Sequence, residues 1–314
     1  MHVRMRIRTK LILATFCAVA LSLLVGAFFT YYHVSGILRE QSIQYTMTKL
    51  SQNAQQILRI QEQTIKIAEY IYGDKEIYED LRIDKSADLE TLYFQKKSVE
   101  EKLKTFTALN DDIMNVVIVR PDGEIFSNNT GYEDFFADYL KQDWYLDLIA
   151  DRSGPHFSRP HPSYYMNTWQ PAVSYVVRYD KMDALQRSDA YTLIIDVKYS
   201  RIAGAFGQSA GLYDRIVLQN GRGETLYDTD GSGTPLPAEA AKLAEDSPVL
   251  EDAHHMLIFN QSMKDDWTQI AVISKDRLFA KLKNILYVFL LMIAGSLLII
   301  LAIITPVVSA MMKP

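Results

Sequence analysis

Two stretches of the sequence contain no charged residue and are long enough to cross a lipid bilayer. Leu11 to Tyr32 covers 22 positions and Asn284 to Met312 covers 29. A helix of about 20 residues spans the hydrocarbon core of a bilayer, which is about 30 Å thick. The sequence therefore predicts transmembrane helices at residues 11–33 and 284–306. A chain with two such spans is not a soluble cytoplasmic enzyme, a disordered chain or a collagenous chain.

The distribution of basic residues predicts the orientation in the membrane. Residues 1–10 carry four Arg and Lys side chains, whereas the segment after the first span offers Arg39 beside Glu40. Because positive charges favour the cytoplasmic side, we expect the N-terminus in the cytoplasm and residues 34–283 outside it. A cleaved signal peptide is the alternative, but 22 apolar residues are long for its hydrophobic region.

Cysteine content and net charge exclude several other classes of protein. The single cysteine, Cys17, rules out a disulfide scaffold and a thiolate zinc site. The net charge is −5 and no basic cluster lies outside the N-terminus, so we expect no nucleic-acid partner. The chain has no G-x-x-x-x-G-K-[ST], H-E-x-x-H or C-x-x-C motif, so we expect neither a cofactor nor a metal.

One short pattern matches a catalytic motif. Residues 207–211 fit the G-x-S-x-G motif of hydrolases around Ser209, and Asp228 and His254 follow in the hydrolase order. This motif needs a buried strand directly before the serine, but residues 200–206 are small and mixed. We interpret them as a linker between two modules and expect no enzymatic activity.

A helical repeat follows the first span. From Ile43 to Ile71, apolar positions recur in alternating steps of four and three, with the polar residues Gln61 and Thr64 in the middle. This pattern predicts a long helix at residues 34–72 with a heptad seam about 43 Å long. Two interpretations remain open: the seam packs on its own domain, or it forms a homodimer contact that carries a signal from the first span. We also expect the protein to be a homodimer.

The region between the spans repeats itself after 100 residues. The first copy has an apolar strand, Ile113 to Val119, followed by a Pro-Asp-Gly turn and Ile125, which predicts a hairpin. The second copy has its turn at residues 220–223. We therefore predict two tandem modules, a membrane-distal one at 73–202 and a membrane-proximal one at 203–283. The matching pairs are Val117/Val217, Ile118/Leu218, Gly123/Gly223, Glu124/Glu224 and Phe126/Leu226.

Further elements can be predicted in each module. Those of the first are a helical stretch at 89–109, an amphipathic helix at about 132–151, a loop at 161–165, and strands at 172–179 and 193–197. In the second module, a strand at 269–273 leads into a helix at 275–283, which can continue directly into the second span.

Four short motifs make the chain similar to a known family. They are Asp143-Trp144-Tyr145, Gly154-Pro155, His161-Pro162-Ser163-Tyr164-Tyr165 and Ile195-Asp196. Together with the order of span, long helix, two sheets and span, they resemble the double Cache ligand-sensing domains of bacterial receptors. The resemblance implies a mixed α/β (α+β) fold, with two PAS-like antiparallel sheets on a long helix between two transmembrane helices. It also implies a small-molecule ligand.

The end of the chain resembles the start of a signalling linker. Residues 307–314 are similar to the beginning of a HAMP linker. The same order of elements is usual in Firmicute sensor histidine kinases of the YesM type, which implies a two-component system with a cytoplasmic kinase half and a response regulator as partners. The alternatives are a chemoreceptor or cyclase output, an ectodomain that docks a solute-binding protein, and an ectohydrolase.

The resemblance also implies a ligand site in the first module. Members that bind amino acids carry an arginine two positions before the Trp-Tyr pair, where this chain has Gln142. A neutral amide cannot replace the bidentate guanidinium that holds a carboxylate, so we expect a small neutral or hydroxylated ligand. The residues implied as ligand contacts are Gln142, Trp144, Tyr145, Tyr164, Tyr165 and Asp196.

Several of these residues have a second, structural interpretation. Trp144 and Tyr145 could belong to the hydrophobic core. Asp196 stands in an apolar run, where burial without a partner is costly, so it is either a ligand contact or a hydrogen-bonded structural acid. The second copy has Val272 at the place of Asp196, which predicts that the polar site lies in the first module only.

Overall fold

The computed structural model describes most of the chain in nine stretches. They are residues 7–82, 86–108, 110–131, 133–150, 154–182, 188–207, 213–231, 248–261 and 263–311. The described helices are α1 (Ile7–Gly73), α2 (Lys75–Leu81), α3 (Leu89–Ala108), α4 (Glu133–Tyr139), α5 (Asp143–Ala150), α6 (Tyr199–Gly207) and α7 (Lys275–Met311). The described strands are β1 (Ile113–Val119), β2 (Ile125–Ser127), β3 (His156–Phe157), β4 (His161–Tyr165), β5 (Thr168–Met182), β6 (Ser188–Lys198), β7 (Arg215–Gln219), β8 (Thr225–Asp228), β9 (Val249–Glu251), β10 (His255–Asn260) and β11 (Thr268–Ser274).

The two longest helices contain the two predicted spans. Helix α1 has 67 residues and joins the first span to the predicted long helix without a break. Helix α7 has 37 residues and begins directly after β11, as predicted from the sequence. By length and composition, both helices are apolar enough to cross a membrane.

The heptad seam of α1 packs on its own chain. Leu50, Ile57 and Ile71 are fully buried, and the polar seam residues Gln61 and Thr64 are buried with them. This supports the first of the two interpretations from Leu50 to Ile71. Ile43 and Met47, at the start of the seam, are only half-buried. The dimer contact through this seam and the homodimer itself stay predictions.

The two sheets have the same strand order. The first is β2-β1-β6-β5-β3, with β4 paired to β5, and the second is β8-β7-β11-β10-β9. Their first hairpins match in detail, since Arg120 and Asn220 each donate a backbone hydrogen bond to the glutamate four residues later, at 2.9 and 3.1 Å. Gly123 and Gly223 both have positive φ, 84° and 77°, which glycine adopts without strain. The predicted repeat is therefore confirmed, and so is the mixed fold with antiparallel sheets.

Two local predictions were wrong. The amphipathic helix at 132–151 is two helices, α4 and α5, because the Gln142 carbonyl starts a new helix by accepting the N–H groups of Tyr145 and Leu146 at 3.1 and 3.0 Å. The loop at 161–165 is strand β4, which pairs with the start of β5. Residues 200–206, interpreted as a linker, lie in helix α6 between β6 of the first sheet and β7 of the second, with Ile202, Ala205 and Phe206 buried. Ser209 of the hydrolase pattern lies outside the described residues.

By packing, the chain forms two compact units. One comprises residues 1–46, 249–257 and 272–314, and the other comprises residues 47–248 and 258–271. The predicted module borders at 73–202 and 203–283 stay predictions. The candidate site below lies entirely in the second unit.

Glu251 of β9 connects two helices within the first unit. It accepts a hydrogen bond from Arg39 Nε of α1 at 2.8 Å and pairs with Lys275 Nζ of α7 at 2.9 Å. Burial raises the pKa of Glu251, but the hydrogen bonds and charges of Arg39 and Lys275 outweigh burial and hold the pKa below its usual value. Glu251 is therefore an anion shared by α1 and α7.

Substitution of the α1 seam tests how it packs. Ile57→Ala should lower the free energy of unfolding by about 2–5 kcal/mol, because it leaves a cavity under a fully buried side chain. Gln56→Ala, at an exposed position next to it, should change it by less than about 0.5 kcal/mol. Urea unfolding of the full chain in detergent micelles measures both. Equal effects for the two variants would contradict the packing described here.

Candidate functional site

A buried carboxylate lies at the centre of the first sheet. Asp196 of β6 is fully buried and stands between Asn115 of β1 and Ser174 of β5 in the strand register. Its Oδ2 accepts hydrogen bonds from Asn115 Nδ2 at 3.0 Å, Tyr139 OH at 3.0 Å and Ser163 Oγ at 2.6 Å. Its Oδ1 accepts one from Ser174 Oγ at 2.5 Å. We call these five residues the Asp196 cluster.

All four donors of the Asp196 cluster are neutral groups. A buried carboxylate loses its hydration and therefore needs hydrogen-bond donors from the protein. Here the donors are two serine hydroxyls, one phenol and one amide. Burial raises the pKa of Tyr139, and the charge of Asp196 raises it further. The phenol therefore keeps its proton and acts as a donor.

An aromatic layer covers the Asp196 cluster. The indole of Trp144 stacks on the imidazole of His161, with ring centroids 3.8 Å apart and planes within 7°. The ring of Tyr139 meets both of them edge to face. His161 Nε2 lies 2.6 Å from Ser174 Oγ, which links the layer to the cluster below. Burial lowers the pKa of His161, and the charge of Asp196 raises it. Burial is the larger effect, so the pKa is lowered and the ring is favoured in its neutral form.

Gln142 positions the tryptophan of this layer. Its side-chain Oε1 accepts a hydrogen bond from Trp144 Nε1 at 2.7 Å. Its carbonyl begins helix α5, which carries both residues of the Trp144-Tyr145 pair. Gln142 is only half-buried, so it connects the buried layer to the surface.

The structure brings three of the six predicted site residues together, places Tyr145 edge to face with Trp144, and gives the rings of Tyr164 and Tyr165 other neighbours. Gln142, Trp144 and Asp196 belong to one continuous set of contacts through Tyr139 and His161. Tyr145 is buried in the hydrophobic core with Trp144, and burial raises its pKa.

Tyr164 and Tyr165 have other neighbours. The ring of Tyr164 stacks on Phe135 at 4.1 Å and meets Trp169, which is 51% exposed. The ring of Tyr165 lies 5.7 Å from Lys198 Nζ. The roles of all six residues as ligand contacts stay predictions.

Sequence reasoning missed five members of this site, which are Asn115, Tyr139, His161, Ser163 and Ser174. Asn115 and Ser174 each interrupt an apolar strand, which is the same signal that identified Asp196, and it could have found them. Tyr139 and His161 give no such signal. Their roles depend on the hairpin of β4 with β5 and on the break between α4 and α5, neither of which was predicted.

The grooves along α3 lie apart from this site. Two open grooves of about 360 and 450 Å³ run along α3, and no member of the Asp196 cluster lines either of them. Within the described ranges, no three His, Cys, Asp or Glu side chains are grouped closely enough to hold a metal ion. The Asp196 cluster and its aromatic layer remain the best-defined candidate site.

Comparison with known proteins identifies the fold. No protein-family model and no curated protein matches the sequence. Among solved structures, the ligand-binding domain of the Campylobacter jejuni chemoreceptor Tlp3, in complex with 4-methylisoleucine, has a TM-score of 0.52 at 11% identity, over 77% of this chain and 94% of that one. The periplasmic sensory domain of Campylobacter jejuni Tlp1 has a TM-score of 0.50 at 11% identity, over 73% and 93%.

The extracellular domain of a histidine kinase gives the same result. The extracellular domain of a protein assigned as histidine kinase vpHK1S-Z8 has a TM-score of 0.52 at 11% identity, over 77% of this chain and 98% of that one. At such identities the similarity concerns the fold alone. This chain has the fold of the periplasmic and extracellular sensor domains of chemoreceptors and histidine kinases.

Proposed function

We propose that this chain is the ligand-sensing and membrane-spanning region of a sensor histidine kinase. Residues 34–283 bind a small molecule outside the cytoplasm, and the change passes through the spans to a HAMP linker, a kinase half of the YesM type and its response regulator. The observation that carries the proposal is the Asp196 cluster under its aromatic layer, in the fold of a ligand-binding sensor domain.

The chemistry of the Asp196 cluster supports a small neutral or hydroxylated ligand. Because the four donors on Asp196 are neutral, ligand hydroxyls can take the place of Ser163 or Ser174 without changing the charge of the site. The aromatic layer offers ring faces on which such a ligand can stack. An amino acid would in addition need a cation for its carboxylate, and Gln142 has none.

Trp144 is the group that has to move for a ligand to reach Asp196. It is 4% exposed and covers His161, while its indole N–H is held by the half-buried Gln142. A ligand that takes over the hydrogen bond of Gln142 releases the indole. We therefore propose Gln142 and Trp144 as a lid, with Asp196 and its donors beneath it.

The alternative output domains and protein classes differ in their support. A chemoreceptor output is the second candidate, since chemoreceptor domains are among the solved structures of this fold. A cyclase output has the same kind of support, since a domain of a sensory box/GGDEF family protein is also among these solved structures. Docking of a solute-binding protein rests on no feature of this chain. We also propose that the chain is not a hydrolase, because Asp228 of the hydrolase pattern is engaged by Arg215 through two hydrogen bonds of 2.9 and 2.6 Å.

Thermal-shift screening of the full chain in lipid nanodiscs tests the proposal. We expect neutral sugars or polyols to raise the melting temperature. At a ligand concentration 100 times the Kd, binding should add about 2.7 kcal/mol to the free energy of unfolding. Trp144→Ala should abolish this shift, whereas Leu146→Ala, at an exposed position of the same helix, should keep it. A shift with amino acids, or one that survives Trp144→Ala, would contradict the proposed site.

Cysteine labelling tests the topology. Ser86→Cys in a Cys17→Ser background places one thiol at an exposed position between α2 and α3. A membrane-impermeant maleimide should label it in intact cells, because we expect residues 34–283 outside the cytoplasm. Labelling only after lysis would reverse the orientation.

A further inference from the structure

The turn between β10 and β11 has an unusual backbone. Asp265 and Asp266 both have positive φ, 59° and 51°, in the left-handed region that favours glycine. Asp tolerates this region better than most residues, but two in succession still need contacts that hold them. Asp265 and Asp266 differ sharply in the contacts they make.

The Asp265 carboxylate binds the edge strand of the first sheet. Its Oδ1 lies 2.7 Å from His156 Nδ1, and its Oδ2 accepts the Phe157 backbone N–H at 3.0 Å. His156 and Phe157 are the whole of strand β3. Both partners of the His156–Asp265 pair are about four-fifths buried, so water screens this contact only weakly.

Two further contacts fix the same turn. Gln61 of α1 donates to the Lys264 carbonyl at 3.2 Å and accepts the Lys264 N–H at 3.1 Å. The ring of Trp267, fully buried, meets Phe157 edge to face at 5.5 Å. The turn before β11 is therefore held on one side by α1 and on the other by β3.

Strand β3 pairs with β5 through His156–Val176 and Phe157–Tyr175, and the next residue, Ser158, contacts the Asp196 cluster directly. Ser158 donates its N–H to the Ser174 carbonyl at 2.8 Å, and Ser174 donates its N–H to Ser158 Oγ at 2.8 Å. Ser174 also donates to Asp196. A continuous path of hydrogen bonds and two peptide units thus runs from Asp196 through Ser174, Ser158 and Phe157 to Asp265.

We propose that Asp265 is a latch that couples the state of the Asp196 cluster to the last strand, β11. When the cluster loosens or rearranges, β3 shifts, Asp265 loses His156 and the Phe157 N–H, and the left-handed turn relaxes. Since α7 begins directly after β11, the latch lies on the chain segment that leads to the second span. The trigger by a ligand rests on the proposed function, but the coupling itself does not.

Hydrogen exchange of the full chain in nanodiscs, without any ligand, tests the latch. Ser174→Ala removes one donor from Asp196, and in the wild-type background it should speed amide exchange at residues 268–271 by about threefold or more. In the Asp265→Asn background, exchange at these amides should be faster from the start, and Ser174→Ala should add nothing.

Asp266→Asn is the matched control. It neutralises the neighbouring carboxylate, whose residue also has a positive φ, but leaves Asp265 unchanged. Exchange at residues 268–271 should therefore still respond to Ser174→Ala in the Asp266→Asn background. If Asp265→Asn fails to fold by circular dichroism, His156→Ala removes the Oδ1 contact of Asp265 and leaves only the Phe157 N–H bond, so it should reduce the response to Ser174→Ala. An undiminished response to Ser174→Ala in the Asp265→Asn or His156→Ala background overturns the latch. Equal loss of the response in the Asp266→Asn background also overturns it. Because no ligand is used, failure of the proposed ligand class leaves this result unaffected.

Discussion

The buried carboxylate of Asp196 is the constraint on which the first module depends. Removing a carboxylate from water costs several kcal/mol, which only well-placed donors offset. The donors come from β1, β4, β5 and α4, so four elements have to meet at one point. A one-residue slip of either neighbouring strand would turn Asn115 or Ser174 to the other face and leave the carboxylate short of partners. The cluster therefore fixes the register of the sheet as well as its chemistry.

The same cluster relates the candidate site to the rest of its unit. Above it, Ser174 contacts His161, which carries the stacked Trp144 held by Gln142. To the side, Ser174 pairs with Ser158, next to the edge strand that Asp265 holds. Ser174 thus touches the aromatic layer, the carboxylate and the path to the second sheet. A movement of the lid and a movement of the latch would therefore both alter the contacts of Ser174 and of strand β5.

Much of the fold could be predicted because its signals are local. Strand β1 was predicted to the residue from its apolar run, and the repeat of the β1–β2 hairpin was visible as pairs 100 positions apart. Strand β4 was missed because a short polar and aromatic segment shows its pairing only when β5 lies beside it. In the site, Asp196 was found as a polar residue in an apolar strand. Tyr139 was not, because the break that ends α4 beside the sheet has no local signal.

The free energy of unfolding of Asp196→Asn tests the central claim most directly. Asparagine keeps the shape but removes the charge and turns an N–H group toward donors that need an acceptor. We predict a loss of about 1–3 kcal/mol in urea unfolding of the full chain, because buried donors are then left without an acceptor. Asp147→Asn, at an exposed position of α5, should change the free energy by less than about 0.5 kcal/mol. A loss below about 1 kcal/mol for Asp196→Asn would contradict the account, because the sheet would then not depend on this carboxylate.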